Sequence, residues 1–220
     1  MRTGIFGGTF NPIHLAHLRI AEEVREACDL DRVLFLPAAQ PPHKHIAGDV
    51  PFANRLAMVE AAIANHPGFA ADDMEAQRPG ASYSVHTFEL LHQRFPGDAF
   101  YFIIGLDSFR DITSWKEYAR LFSLTNIVVA YRPGYGNDDP RQLLPVAIRD
   151  QFCYDDASQN LRHLSGRQLI FVAETRLEIS STRIRELVAQ QRSIRYLVPP
   201  VVADYISNHS LYRQSGKVQA

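Results

Sequence analysis

Residues Gly7-Gly8-Thr9-Phe10-Asn11-Pro12-Ile13-His14-Leu15-Ala16-His17 place a glycine turn ahead of a helix whose first residues carry two histidines three apart. The chemistry this suits is the binding of a polyphosphate. Gly7 and Gly8 can take positive φ and have no Cβ, so the turn can present its peptide N–H groups to a ligand. The helix expected from Leu15 to Cys28 begins with unpaired N–H groups and a partial positive charge, which attract an anion. His14 and His17 share one side of its first turn and can donate to the same phosphate group. His17 also falls on the spacing His17, Ala21, Val24, Cys28 of a core-facing stripe. Two histidines directly after a glycine turn favour the anion.

A second anion-type segment is Glu178-Ile179-Ser180-Ser181-Thr182-Arg183-Ile184-Arg185-Glu186. Three consecutive hydroxyl residues precede a helix, and any of Ser180, Ser181 or Thr182 can cap it. Arg183 then lies in the first turn, where a cation is unfavourable unless an anion sits between it and the helix end. Between the two segments, Asp107 follows a buried strand and can accept from ribose hydroxyls or serve as a plain cap. Lys44, on a polar loop, can supply charge to phosphate. Trp115 is the only tryptophan of the chain, and its face can stack on a flat cationic ring.

These residues need a scaffold, and the chain alternates strands with helices. Strands are expected at 3–6, 32–36, 99–104, 126–131 and 168–172, and helices at 51–65 and 82–94 besides the first. The runs Ala99-Phe100-Tyr101-Phe102-Ile103-Ile104 and Asn126-Ile127-Val128-Val129-Ala130-Tyr131 are nearly continuously apolar, as central parallel strands covered on both faces must be. The pattern predicts an α/β fold, a doubly wound, Rossmann-like parallel sheet with helices on both faces. Ligands of such sheets sit beyond the carboxyl ends of the strands, near the point where strand order reverses. At 220 residues and 46% hydrophobic, the chain reads as one domain, 1–220. It carries a peripheral insertion at about 134–166, with helices expected around 140–150 and 157–164, and a C-terminal helical part at about 180–212.

Lys and Arg number 23 against 24 Asp and Glu, a formal charge of -1, so the bulk balance points to neither nucleic acid nor a membrane surface. Cys28 and Cys153 have no metal-type spacing and read as reduced thiols. With no leader-like or membrane-spanning apolar run, a cytoplasmic location is expected. The dinucleotide fingerprint G-x-G-x-x-G and the Walker-type loop are both absent.

The first segment resembles the G-x-F-D-P-x-H-x-G-H type segment of the nucleotidyltransferase superfamily, with Asn11 where Asp is frequent and Ala16 where Gly is frequent. The late segment resembles the I-S-S-T-x-I-R segment of the same superfamily. By that resemblance His14, His17 and Arg183 are the catalytic set. The ATP site is completed by Gly7, Gly8, Thr9, Phe10, Lys44, Gly105, Asp107, Ile179, Ser180, Ser181 and Thr182. Pro41-Pro42-His43-Lys44, Ser82-Tyr83-Ser84-Val85-His86-Thr87, Ile104-Gly105-Leu106-Asp107-Ser108 and Ser114-Trp115 resemble the bacterial nicotinate-mononucleotide adenylyltransferases. That likeness implies ATP and nicotinate mononucleotide as substrates, with acceptor contacts from Tyr83, Ser84, Trp115 and Arg132. Phosphopantetheine adenylyltransferase and a non-catalytic nucleotide-binding regulator are the alternatives. An acceptor phosphate is already anionic, so no general base or covalent intermediate is expected. The chain shows no carboxylate cluster to cage a metal, so Mg²⁺ is expected on the ATP phosphates. The oligomeric state is not legible.

Overall fold

The computed structural model of the chain describes residues 1–41, 50–131, 140–155 and 160–213. The elements run β1 (Arg2–Gly8), α1 (Leu15–Ala27), β2 (Arg32–Pro37), α2 (Phe52–Ile63), β3 (Phe69–Ala71), α3 (Ser84–Arg94), β4 (Ala99–Gly105) and α4 (Leu106–Arg110). They continue with α5 (Tyr118–Leu124), β5 (Asn126–Tyr131), α6 (Pro140–Leu143), β6 (Phe152–Asp155), β7 (Asn160–His163), β8 (Gln168–Ala173), α7 (Ser181–Ala189) and α8 (Pro200–Asn208).

One eight-stranded sheet has the order β3-β2-β1-β4-β5-β8-β7-β6. The strands from β3 through β8 in that order are all parallel, and only β7 and β6 are antiparallel additions. Strand order reverses between β1 and β4, so the crevice beyond the ends of that pair is where a doubly wound sheet holds its ligand. The period-two alternation of each strand feeds two separate cores. Phe6, Val33, Phe35, Ile103 and Val128 pack on the side of α1, α2, α7 and α8. Ile5, Leu34, Leu36, Phe102, Ile104, Ile127 and Val129 pack on the side of α3, α4 and α5.

The sequence expectation differs from the structure in the insertion. The helix expected at 157–164 is contradicted where the residues are described: Asn160–His163 is β7, paired antiparallel with β6 in the register Tyr154↔Leu161, and 157–159 lie outside the described residues. Leu161 is 1% exposed while Arg162 is exposed, the alternation of an edge hairpin with one anchoring side chain. The expected helix at 140–150 is the one-turn α6 followed by a 3-10 turn over Val146–Gln151. The short strand β3 was not foreseen either. Its three residues are all half-buried and give no apolar run to read.

Candidate active site

A cavity of about 730 Å³ opens where β1 and β4 end. Its first wall is the loop after β1. Gly7 and Gly8 belong to the strand, and positive φ falls on Phe10 instead, at 46°. This corrects the expectation of a turn built on the two glycines. What the loop requires at Gly8 is the absence of a side chain: a Cβ there would lie 3.0 Å from Phe10 Cζ. The Phe10 ring is 2% exposed and packs edge-on against Phe6 and His17. The loop is then held by its carbonyls: Thr9 O accepts from Arg55 (2.7 Å), Asn11 O from Arg185 (2.8 Å) and Pro12 O from Ser181 Oγ (2.9 Å). The Asn11 side chain, where relatives in the superfamily often have Asp, accepts from the Tyr212 hydroxyl at 2.7 Å.

The two histidines stand together at the start of α1. Their rings stack 3.6 Å apart at 17°, and only His17 reaches the cavity lining. The His14 backbone N–H donates to His17 Nδ1 (3.3 Å), so in neutral His17 the proton sits on Nε2, leaving a ring donor for a ligand. His14 is 5% exposed with an unpartnered Nδ1, and burial lowers its pKa to about 4. Burial first, and the neighbouring His14 second, hold His17 well below the ordinary histidine value too. Both rings are therefore neutral at pH 7 in the absence of ligand.

The start of α7 closes this end. Ser180 is the cap, its side chain accepting from the Arg183 backbone N–H at 3.2 Å. Ser181, Thr182 and Arg185 line the cavity, being one face of the helix by their i, i+1, i+4 spacing. Arg183 points elsewhere: its guanidinium pairs with Glu186 at 3.2 Å on the exposed side and is no part of the lining. Ile179 packs against the core and Ser180 is also outside the lining. The arginine closing the I-S-S-T-x-I-R segment is Arg185. Sequence reasoning passed it over, although its i+4 spacing from Ser181 was a readable signal.

The opposite end is built from α3, α4 and the turn before α5. Tyr83 is the cap residue of α3 and Ser84 its first residue, and both line the cavity. Trp115 is half-buried there, tilted against Phe102 with centroids 5.9 Å apart. Lys116, which sequence reasoning missed, lies with Nζ 4.9 Å from the centre of the Tyr83 ring. Beneath α3, Glu75, in a stretch with no motif to announce it, accepts from Thr87 Oγ1 at 2.7 Å, a buried pair. Gly105 caps α4, and Asp107 sits in its first turn on the cavity. Lys44 and Arg132 lie outside the described residues. Among the described residues no group of three His, Cys, Asp or Glu is placed to hold a metal ion.

A parallel sheet with its cavity at the switch point, a loop cradled by side chains, and helix starts at both ends define an α/β nucleotide-binding enzyme. The family model described as cytidylyltransferase-like matches residues 5–187. A probable nicotinate-nucleotide adenylyltransferase of Syntrophotalea carbinolica is 64% identical over 97% of this chain and 98% of its own length. That of Geobacter sulfurreducens is 55% identical over 98% of this chain and 100% of its own. The chain belongs to the cytidylyltransferase-like family and, within it, to the nicotinate-nucleotide adenylyltransferases. A solved Plasmodium falciparum nicotinic acid mononucleotide adenylyltransferase, complexed with NaAD, superposes with a TM-score of 0.73 at 19% identity, over 96% of this chain and 97% of that one. At that identity the likeness speaks for the fold.

Proposed function

We infer that the chain transfers the adenylyl group of ATP to nicotinate mononucleotide, giving deamido-NAD and pyrophosphate. The observation that carries the reading is a cavity whose two ends differ in chemistry. One end, with the β1 loop, His17, Thr182 and Arg185, offers donors and positive charge to a triphosphate. The other joins the start of α3 to an aromatic face, which suits a pyridinium ring bearing a carboxylate. The relatives described as probable nicotinate-nucleotide adenylyltransferases support this reading.

An oxygen of the acceptor phosphate attacks the α-phosphorus in line, the bond to the bridging oxygen breaks, and pyrophosphate leaves with the electron pair. The nucleophile needs no base, so positioning and charge neutralisation are the protein's task. His17 Nε2–H and the Arg185 guanidinium take the phosphate oxygens on which charge grows. The amides at the start of α3 take the nicotinate carboxylate, Trp115 stacks on the ring, and Asp107 accepts from a ribose hydroxyl. Mg²⁺ arrives on the ATP phosphates as part of the substrate, and the reaction belongs to the cytoplasm. Pyrophosphate release from ATP, followed with nicotinate mononucleotide, nicotinamide mononucleotide and phosphopantetheine in turn, tests the assignment. Nicotinate mononucleotide is expected to support the fastest release. Preference for phosphopantetheine, or release with none of the three, would overturn it.

A further inference from the structure

Arg55 of α2 takes no part in the chemistry above, and it is completely buried, 0% exposed. Its Nη1 donates to the Thr9 carbonyl at 2.7 Å and its Nη2 to the Ala39 carbonyl at 3.5 Å, while Nε has no partner. The Phe52 ring lies beside the guanidinium, 5.4 Å from its centroid. Among the described residues no carboxylate pairs with Arg55. The titratable group acting on it, among the described residues, is the phenol of Tyr212, which donates to Asn11 Oδ1 on the same loop. Two carbonyl dipoles satisfy some of its donors and, among the described residues, no anion neutralises its charge, an arrangement that burdens the folded state.

That charge is separated from the cavity by the residues it holds. Thr9 lines the cavity, as do Ala38 and Pro41 on either side of Ala39, so the guanidinium fastens the β1 loop to the segment after β2. Arg185 grips the same loop at the next carbonyl but one. We propose that Arg55 is a positioning residue for the triphosphate: it locks the two wall segments together, and its buried charge is balanced when a polyphosphate occupies the cavity. The proposal rests on the reading of this end as the triphosphate site.

A residue that burdens the empty protein and favours the filled one separates stability from binding. The test compares wild type, Arg55→Met and Arg55→Lys. It measures Tm with and without inorganic tripolyphosphate, and kcat and KM for both substrates. For Arg55→Met the Tm without ligand is expected at or above that of wild type. Its tripolyphosphate-induced shift should fall below about half of the wild-type shift. KM for ATP should rise at least about tenfold while KM for the mononucleotide stays within about twofold. Arg55→Lys, which keeps the charge and loses the fork, should fall between the two in KM for ATP. Should Arg55→Met not fold, a raised KM for ATP in folded Arg55→Lys supports the proposal and an unchanged one overturns it. An Arg55→Met protein that loses stability but keeps the full tripolyphosphate shift and the wild-type KM for ATP overturns this proposal alone. A wild type that shows no tripolyphosphate shift overturns the reading of the site as well.

Discussion

Arg183 and Arg185 are two residues apart in one short helix, yet only Arg185 faces the cavity, while Arg183 is paired with Glu186. Arg185→Ala should therefore lower kcat/KM for ATP by at least about tenfold, the usual effect of losing a charge-assisted donor to phosphate. Arg183→Ala, at a half-exposed ion pair, should stay within about twofold. The reverse order would return the late segment to the assignment its sequence suggested. The histidine pair gives a pH dependence. His14 has a folded pKa of about 4 against an ordinary 6.5, and His17 is also lowered. Below pH 6.5 the unfolded chain takes up protons that the folded one refuses, so the contribution of His14 to stability is complete above that pH and is lost as pH falls toward about 4, with His17 acting in the same direction. His14→Gln should flatten the fall in unfolding free energy between about pH 6 and 4.5 by close to one proton equivalent, as measured by denaturant titration. Identical slopes for the two proteins would show that the ring is not neutral in the fold.

At the scale of elements, the parts legible in the sequence are those whose burial is symmetrical. β1, β2, β4, β5 and β8 are apolar on both faces because each feeds both cores, and that shows as short runs of branched and aromatic residues. β3 and β7 are short strands at or near the two edges, and each buries too little to leave a pattern. Gly7 and Gly8 pointed to the right loop for the wrong reason. They are extended, and the loop turns at Phe10, whose positive φ no residue-type rule anticipates. Arg55 and Glu75 lay in stretches with no motif, Lys116 and Thr87 lay at the ends of segments read for other residues, and the packing of distant segments brings them to the site. Gly4 shows how tight the sheet is where β1 crosses the core. A Cβ there would come within 2.9 Å of Leu30 Cδ1, 3.2 Å of Val33 Cγ2 and 3.3 Å of Ile103 Cδ1. Gly4→Ala should cost about 1–3 kcal/mol. By calorimetry that is a fall in Tm of roughly 3–10 °C. An unchanged Tm would mean that the sheet relaxes more freely than these distances allow.

For the whole molecule, the topology supports the proposal that one cavity serves two nucleotides. The reversal of strand order at β1 and β4 opens a crevice, α7 brings the late segment back to the β1 loop through Ser181 and Arg185, and α3 faces them from the other side of the sheet. On the proposed reading, the triphosphate end and the acceptor end belong to opposite layers, and transfer takes place over the strand ends between them. The acceptor end distinguishes this reaction from other adenylyl transfers. A carboxylate can accept from the amides at the start of α3, whereas the amide of nicotinamide mononucleotide turns an NH₂ toward one of those donors and leaves it unpaired. Trp115→Ala should weaken both acceptors alike, since stacking reads the ring and ignores its substituent. The most direct measurement is kcat/KM of the wild-type enzyme for the two mononucleotides at saturating ATP. Nicotinate mononucleotide should be preferred by more than roughly tenfold, and equal use of the two would contradict a carboxylate site at Tyr83 and Ser84.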